Sequence, residues 1–295
     1  MGSGSWSSST FASYSTSKGR SVDIKTGAVV GGLSAQEMFS QRKIAEELNP
    51  YNVMRECKDT EEHPNTVPVI LALDVTGSMG KGAVKVAQQL NIIMTELFKK
   101  VKDVEFLIMA IGDFAFDTAP LQASQYESDV RIAKHLDKVY FEGGGGSNLF
   151  ESYTAAWFFG LYQTDLDCWK RGKKGIIITL GDEPLNPYLP KKELQEVTGI
   201  SVQDDVQTKD LYKKASEKFS IYHLAIDDTS TAWRWMKDHV PFSFKEYLDE
   251  GHFRVATLNT LTQEIIDIVV KEAESVSEQG DTSLPLSDGG YISWD

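Results

Sequence analysis

Cysteine is scarce. Two residues, Cys57 and Cys168, stand far apart in a chain of 295 and form neither a C-x-x-C pair nor a zinc spacing. That excludes a disulfide framework and makes a reducing interior the simpler expectation. Long apolar runs are missing as well: none approaches the ~20 residues that a spanning helix needs, so no membrane segment is expected. Basic charge is in short supply, with 30 Lys and Arg against 43 Asp and Glu and a net charge of −13. Phosphate recognition requires clustered Lys and Arg that release counterions, so nucleic acid and anionic lipid are poor candidates for partners. The short basic cluster Lys170, Arg171, Lys173 and Lys174 reads as a solvated turn before a strand. The opening MGSGSWSSSTF has neither a charged n-region nor an apolar h-region, and Trp6 breaks the N-myristoylation pattern. A cytoplasmic location is expected.

Core-forming residues are present in ordinary amounts, 41% hydrophobic and 11% aromatic, enough for one large α/β domain of ~200 residues with extensions. Residues 1–33 form a Ser/Gly-rich segment, expected to be flexible and, over its first 25 residues, dispensable for folding. Its Trp6, Phe11 and Tyr14 offer a different outcome, anchoring against the domain or a partner. Residues 34–66 make a helical extension and linker: Ser34-Ala-Gln-Glu37 is a capping box that opens a helix to about Leu48. Residues 67–273 carry the main domain, and 274–295 an acidic tail. Within the domain, apolar strands alternate with helical periodicity. Strands are expected at Val69–Leu73, Val104–Ile111, Val139–Phe141, Gly175–Thr179, Ile221–Ile226 and Phe253–Thr257. Helices are expected after Gly80, at Asp129–Lys138, Leu149–Tyr162, Asp204–Phe219, Thr229–Asp238 and Leu258–Glu272. This alternation implies an α/β fold with a mainly parallel sheet covered by helices on both faces.

One stretch organises the rest. In Pro68–Gly80, PVILALDVTGSMG, a buried strand ends in Asp74, Thr76 and Ser78. Their alternation turns three oxygen donors to one side of a nearly extended loop. Open α/β sheets bind ligands beyond the carboxyl ends of their strands, and oxygen-only donors suit a hard cation such as Mg²⁺. Asp113, in Gly112-Asp113, also closes a strand, where it either touches the site or caps a turn.

DVTGSMG resembles the D-x-[ST]-x-S motif of von Willebrand factor type A domains, whose strand-end loop forms a metal-ion-dependent adhesion site. Gly-Gly-Ser-Asn-Leu within Glu142–Asn148 is similar to the family's GGTN[IL] and puts Ser147 at its threonine. Asp182 in LGDEP stands where the family has Asp in T-D-G or S-D-G, with Glu183 as a substitute because the order differs here. The likeness runs from about Val67 to Glu272 and implies a doubly wound, Rossmann-like domain. It also implies Asp74, Thr76, Ser78, Ser147 and Asp182 as metal ligands, for Mg²⁺ first, with Mn²⁺ and Ca²⁺ as alternatives. A protein partner's carboxylate would complete the ion, an AAA-type ATPase or another complex subunit being a candidate partner.

Each motif has a blander explanation beside it. Asp-x-Thr-Gly-Ser on its own also suits a helix N-cap and four glycines a flexible linker, but three loops in order at strand ends favour the metal site and a tight glycine loop beside it. Glu151 reads evenly as an outer acceptor or a solvated first-turn acid. A metal-dependent hydrolase or phosphatase is the competing class. No second carboxylate follows Asp74 by two residues, no Walker phosphate loop is present, and His63, His135, His223, His239 and His252 are scattered. A binding module is therefore expected in preference to an enzyme, with a scaffold holding a purely structural metal as the third choice.

Overall fold

The computed structural model describes residues 4–31, 33–143, 150–227 and 237–275. The expected tail beyond 275, residues 229–236 of the helix expected at Thr229–Asp238, and Ser147 lie outside those residues. The chain opens with helix α1 (Ser8–Ser17), strands β1 (Ser21–Val22) and β2 (Val29–Val30), helix α2 (Ala35–Met38) and strand β3 (Arg55–Cys57). Next come β4 (Val67–Asp74), α3 (Gly80–Lys100), β5 (Val104–Ile111), β6 (Leu121–Ala123) and α4 (Arg131–Leu136). The second half holds α5 (Thr154–Tyr162), β7 (Thr164–Leu166), β8 (Gly175–Gly181), β9 (Tyr188–Leu189), α6 (Lys191–Thr198), β10 (Val206–Gln207), α7 (Thr208–Lys218) and β11 (Phe219–Ile226). Helix α8 (His239–Phe244), β12 (Phe253–Ala256) and α9 (Leu261–Ser275) follow.

Six strands form the central sheet in the order β12-β11-β8-β4-β5-β6. All neighbours are parallel except β5 and β6, which pair antiparallel from Met109↔Ala123 to Ile111↔Leu121. The central β4 is buried and apolar from Val69 to Leu73, and its alternate residues fall in two separate clusters. Val69, Leu71 and Leu73 join a cluster with Leu90 and Ile93 of α3 and Ile265 and Val269 of α9. Ile70 and Ala72 join another with Trp157 and Phe158 of α5 and Leu211 of α7. Burying such side chains contributes roughly 1.5–3 kcal/mol each. Trp157, Phe158 and Phe159 are thus core.

Several expectations need correction. The N-terminal segment carries a helix: Ser7 caps α1 through the Thr10 amide, and Phe11 is 3% exposed in the same cluster as α3. Trp6 Nε1 donates to Asn91 Oδ1 at 2.9 Å, and the Tyr14 hydroxyl to Asp137 Oδ2 at 2.7 Å. Arg20 pairs with the other oxygen of Asp137 at 2.7 Å. The three aromatics supply what the Ser/Gly background lacks, apolar area for the domain surface. Replacing Tyr14 with Phe should therefore cost about 1.5 kcal/mol, the low end for a hydrogen bond to a charged group because the pair is only partly buried. Chemical denaturation checks this, and an unchanged midpoint would show that the Tyr14–Asp137 bond adds no net stability.

The capping box at Ser34 is real, with reciprocal Ser34 and Glu37 bonds, but α2 ends after one turn. Phe39 leaves the helix to enter the core and stacks on Phe141 at 5.9 Å. The strand expected at Val139–Phe141 is not formed, because the Gln122 side chain takes both backbone groups of Tyr140, at 2.9 and 2.7 Å. Helix α5 starts at Thr154, since Glu151 is held in a bridge to Leu185. The basic cluster is partly paired: Arg171 bonds Asp59 and the Thr66 carbonyl, and Lys170 bonds Asp167. Among the described residues no helix is long and apolar enough to cross a membrane.

Candidate functional site

The parallel strands β4, β5 and β8 deliver their carboxyl ends to one edge, and three acid-bearing loops meet there. Val75 N–H bonds the Ile111 carbonyl, which aligns the β4 loop with the end of β5. Asp74 is 0% exposed. Its Oδ1 accepts the Thr76 amide at 2.8 Å and the Thr76 hydroxyl at 2.5 Å, and its Oδ2 accepts the Tyr153 hydroxyl at 2.8 Å. Helix α3 begins later, after Met79, and no side chain caps it. The helix-cap explanation of DVTGS therefore fails for the described structure.

Across the cleft, Ser78 Oγ donates to Asp182 Oδ1 at 2.9 Å, joining loops 104 residues apart in sequence. Thr76 and Ser78 both spend their hydrogens on carboxylates, so their oxygen lone pairs stay available. Asp74, Thr76 and Asp182 are buried and Ser78 is exposed. The middle loop is described only at its flanks. Gly143, at φ 64°, donates its amide to the Val75 carbonyl at 3.2 Å. Glu151 donates its amide to Pro184 O at 3.1 Å and accepts the Asn186 amide at 3.2 Å. Both ends of the segment that carries Ser147 are thus fixed to the other two loops.

The sequence leaves the roles of Glu151, Asp113 and Glu183 open, and no motif in it marks Asp117, Glu142 or Tyr153. Glu151 and Asp113 are each 2% exposed, and Glu151 Oε2 and Asp113 Oδ2 have no hydrogen-bond partner among the described residues. Asp113 Oδ1 does cap a turn, accepting the Ala115 amide at 2.8 Å. Asp117 Oδ2 accepts the Asp113 amide at 2.7 Å, and Glu142 accepts the Thr118 and Ala119 amides at 3.1 and 3.3 Å. These bonds close the loop after β5.

So many acids in one place raise one another. Burial, then the charge of Asp182, pushes the Asp74 carboxyl up against its three donors. Burial, then Asp74, Glu183, Asp113 and Asp117, pushes Glu151 well above the usual carboxylate range. Glu183 is raised to about 7 by burial, Asp182 and Asp113. Such a cluster disfavours ionisation unless positive charge is supplied. Its donors are carboxylate and hydroxyl oxygens without Cys or His, a set that suits a hard cation. Among the described residues no three His, Cys, Asp or Glu side chains converge as a metal cage. Hydroxyls would have to complete any coordination.

No protein-family model and no curated protein matches the sequence. Solved structures of similar shape include the pilus adhesin SpaC from Lactobacillus rhamnosus GG in its open conformation. It is 12% identical with a TM-score of 0.47, over 77% of this chain and 31% of that one. The vWF domain of the type V pili tip protein Mfa5 from Porphyromonas gingivalis is 10% identical with a TM-score of 0.44, over 72% and 96%. Proximal thread matrix protein 1 from the mussel byssus is 14% identical with a TM-score of 0.40, over 70% and 46%. This chain spans less than a third of the SpaC adhesin's length. These are likenesses below the level at which a shared role follows.

Proposed function

We propose that the chain is a doubly wound domain of the von Willebrand type A kind, acting as a metal-dependent protein-binding module. The Ser78–Asp182 hydrogen bond carries this reading, because it joins the first and third motif loops across 104 residues at the ends of neighbouring parallel strands. Thr76, Ser78 and Ser147 would offer hydroxyl oxygens to Mg²⁺, Mn²⁺ or Ca²⁺, and Asp74 and Asp182 would balance its charge. Asp74, with three donors already on its two oxygens, is suited to hold Thr76 and to act from an outer position. The cation, when bound, supplies an electrophile for a carboxylate of a protein partner. The chain's own part is to hold the hydroxyls, keep the acids ionised beside the ion and leave Ser78 at the open mouth. An AAA-type ATPase or another complex subunit in the cytoplasm remains the candidate partner.

The test is thermal unfolding with and without Mg²⁺. A ligand at ~100 times its Kd stabilises the native state by about 2.7 kcal/mol, and that increment should vanish in Asp74→Ala while the fold persists. Capture of a partner from lysate should be lost with the same variant and with chelator. Tight zinc binding with no response to Mg²⁺ would overturn the donor assignment. Metal-dependent hydrolysis of a generic phosphoester would favour the enzyme instead.

A further inference from the structure

We infer that Tyr153 is a positioning residue that ties the Asp74 loop to the Asp182 loop, and that Gly181 is glycine to make room for it. Tyr153 stands at the start of α5, between the two loops. Its hydroxyl donates to Asp74 Oδ2 at 2.8 Å and accepts the Glu183 amide at 3.3 Å. One oxygen atom thus serves the acid at the end of β4 and the backbone next to Asp182. The ring is fully buried and held from behind by His223, with centroids 4.9 Å apart, and by Phe244 at 6.1 Å.

Space on the remaining side is taken from the backbone of β8. A methyl group at Gly181 would fall 1.9 Å from the Tyr153 hydroxyl oxygen and 2.2 Å from its Cζ. Contacts that short do not occur, so any side chain there would push the ring away from Asp74. Gly181 stands where the resembled family has Thr or Ser, and here that position faces a tyrosine ring that leaves no room for a side chain. Asp74 has two oxygens and its Oδ1 is already committed to Thr76. Tyr153 fixes the other, which sets the rotation of the carboxylate and hence where Thr76 presents its oxygen.

The inference rests on the cation reading only for its Mg²⁺ measurement, so the experiment has a second arm without metal. In chelator, Tyr153→Phe keeps the buried ring and should leave the melting temperature within a few degrees. Hydrogen exchange at the Glu183 and Thr76 amides should become about tenfold faster, while β5 amides stay as they were. Gly181→Ala should produce the same pattern with the hydroxyl still present. In Mg²⁺, Tyr153→Phe should weaken the ion's Kd by roughly 10- to 100-fold, the usual effect of losing a group that orients a ligand. Unchanged exchange at both amides in the metal-free variant overturns the tie itself. Faster exchange with unchanged Mg²⁺ affinity, in a protein whose parent binds Mg²⁺, overturns its role toward the ion. A parent that binds no Mg²⁺ defeats the cation reading alone, and the exchange arm still decides the tie.

Discussion

Metal-free Glu151→Gln should be more stable than the parent at neutral pH, by up to about 3 kcal/mol at pH 7. Glu151 is 2% exposed and one of its oxygens has no partner among the described residues. Burial raises its carboxyl first, and Asp74, Glu183, Asp113 and Asp117 add to the shift. An acid whose folded pKa lies above its unfolded value of 4.5 contributes stability that is fully present below pH 4.5 and is lost as pH rises. At pH 7 the native state therefore either keeps a proton that the unfolded chain releases or tolerates a buried charge among four others. Gln has the same shape and neither cost. At pH 4 both forms are largely neutral, and the advantage should be nearly gone. Urea unfolding in chelator at the two pH values measures this. Bound Mg²⁺ should shrink the gain at pH 7, since a cation offsets the same repulsion. A variant less stable than the parent in chelator at pH 7, or equally advantaged at both pH values, would mean that Glu151 already has a favourable partner.

The parts of the site legible in the sequence were those carried by strand ends. Val69–Leu73 and Gly175–Thr179 are short β-rich runs that read as buried strands, and as parallel neighbours they bring Asp74 and Asp182 out at the same edge. Their mutual approach through Ser78 followed from parallel order. Tyr153 was not legible, because it sits in an apolar, aromatic stretch that reads as core, and its partner lies 79 residues earlier. Gly181 was a faint signal for it, visible only as the departure from T-D-G. The antiparallel β6 escaped because three residues show no period. α1 escaped because Ser and Thr dominate its sequence, and it is fixed to the domain by its own Phe11 and Tyr14 and by Trp6 just before it, in place of a stripe of its own.

Acidification should separate the parent from His223→Phe by about 3 kcal/mol between pH 7.5 and 4.5. His223 lies on β11, 0% exposed, its ring stacked on Phe244 at 4.1 Å and beside Tyr153 and Phe253. Nδ1 meets the Thr179 hydroxyl at 2.8 Å, and Nε2 has no partner among the described residues. Burial alone depresses its pKa to about 3 from 6.5. A depressed folded pKa contributes stability that is present above pH 6.5 and lost as pH falls toward 3, because the unfolded chain takes up the proton first. Asp74, Glu105 and Glu183 shift the other way, so the total pH profile of the parent is mixed. Those acids, and His135, whose pKa is lowered to about 4, are common to both proteins, and the difference between the profiles isolates His223. Phe fills the same aromatic pocket, and the Thr179 hydroxyl keeps the Tyr222 carbonyl at 3.2 Å. The two should therefore lie within about 1 kcal/mol at pH 7.5, with the variant ahead at pH 4.5. Parallel curves would show that the native state can protonate His223, which requires the aromatic pocket beneath Tyr153 to open to water or to supply a hidden acceptor.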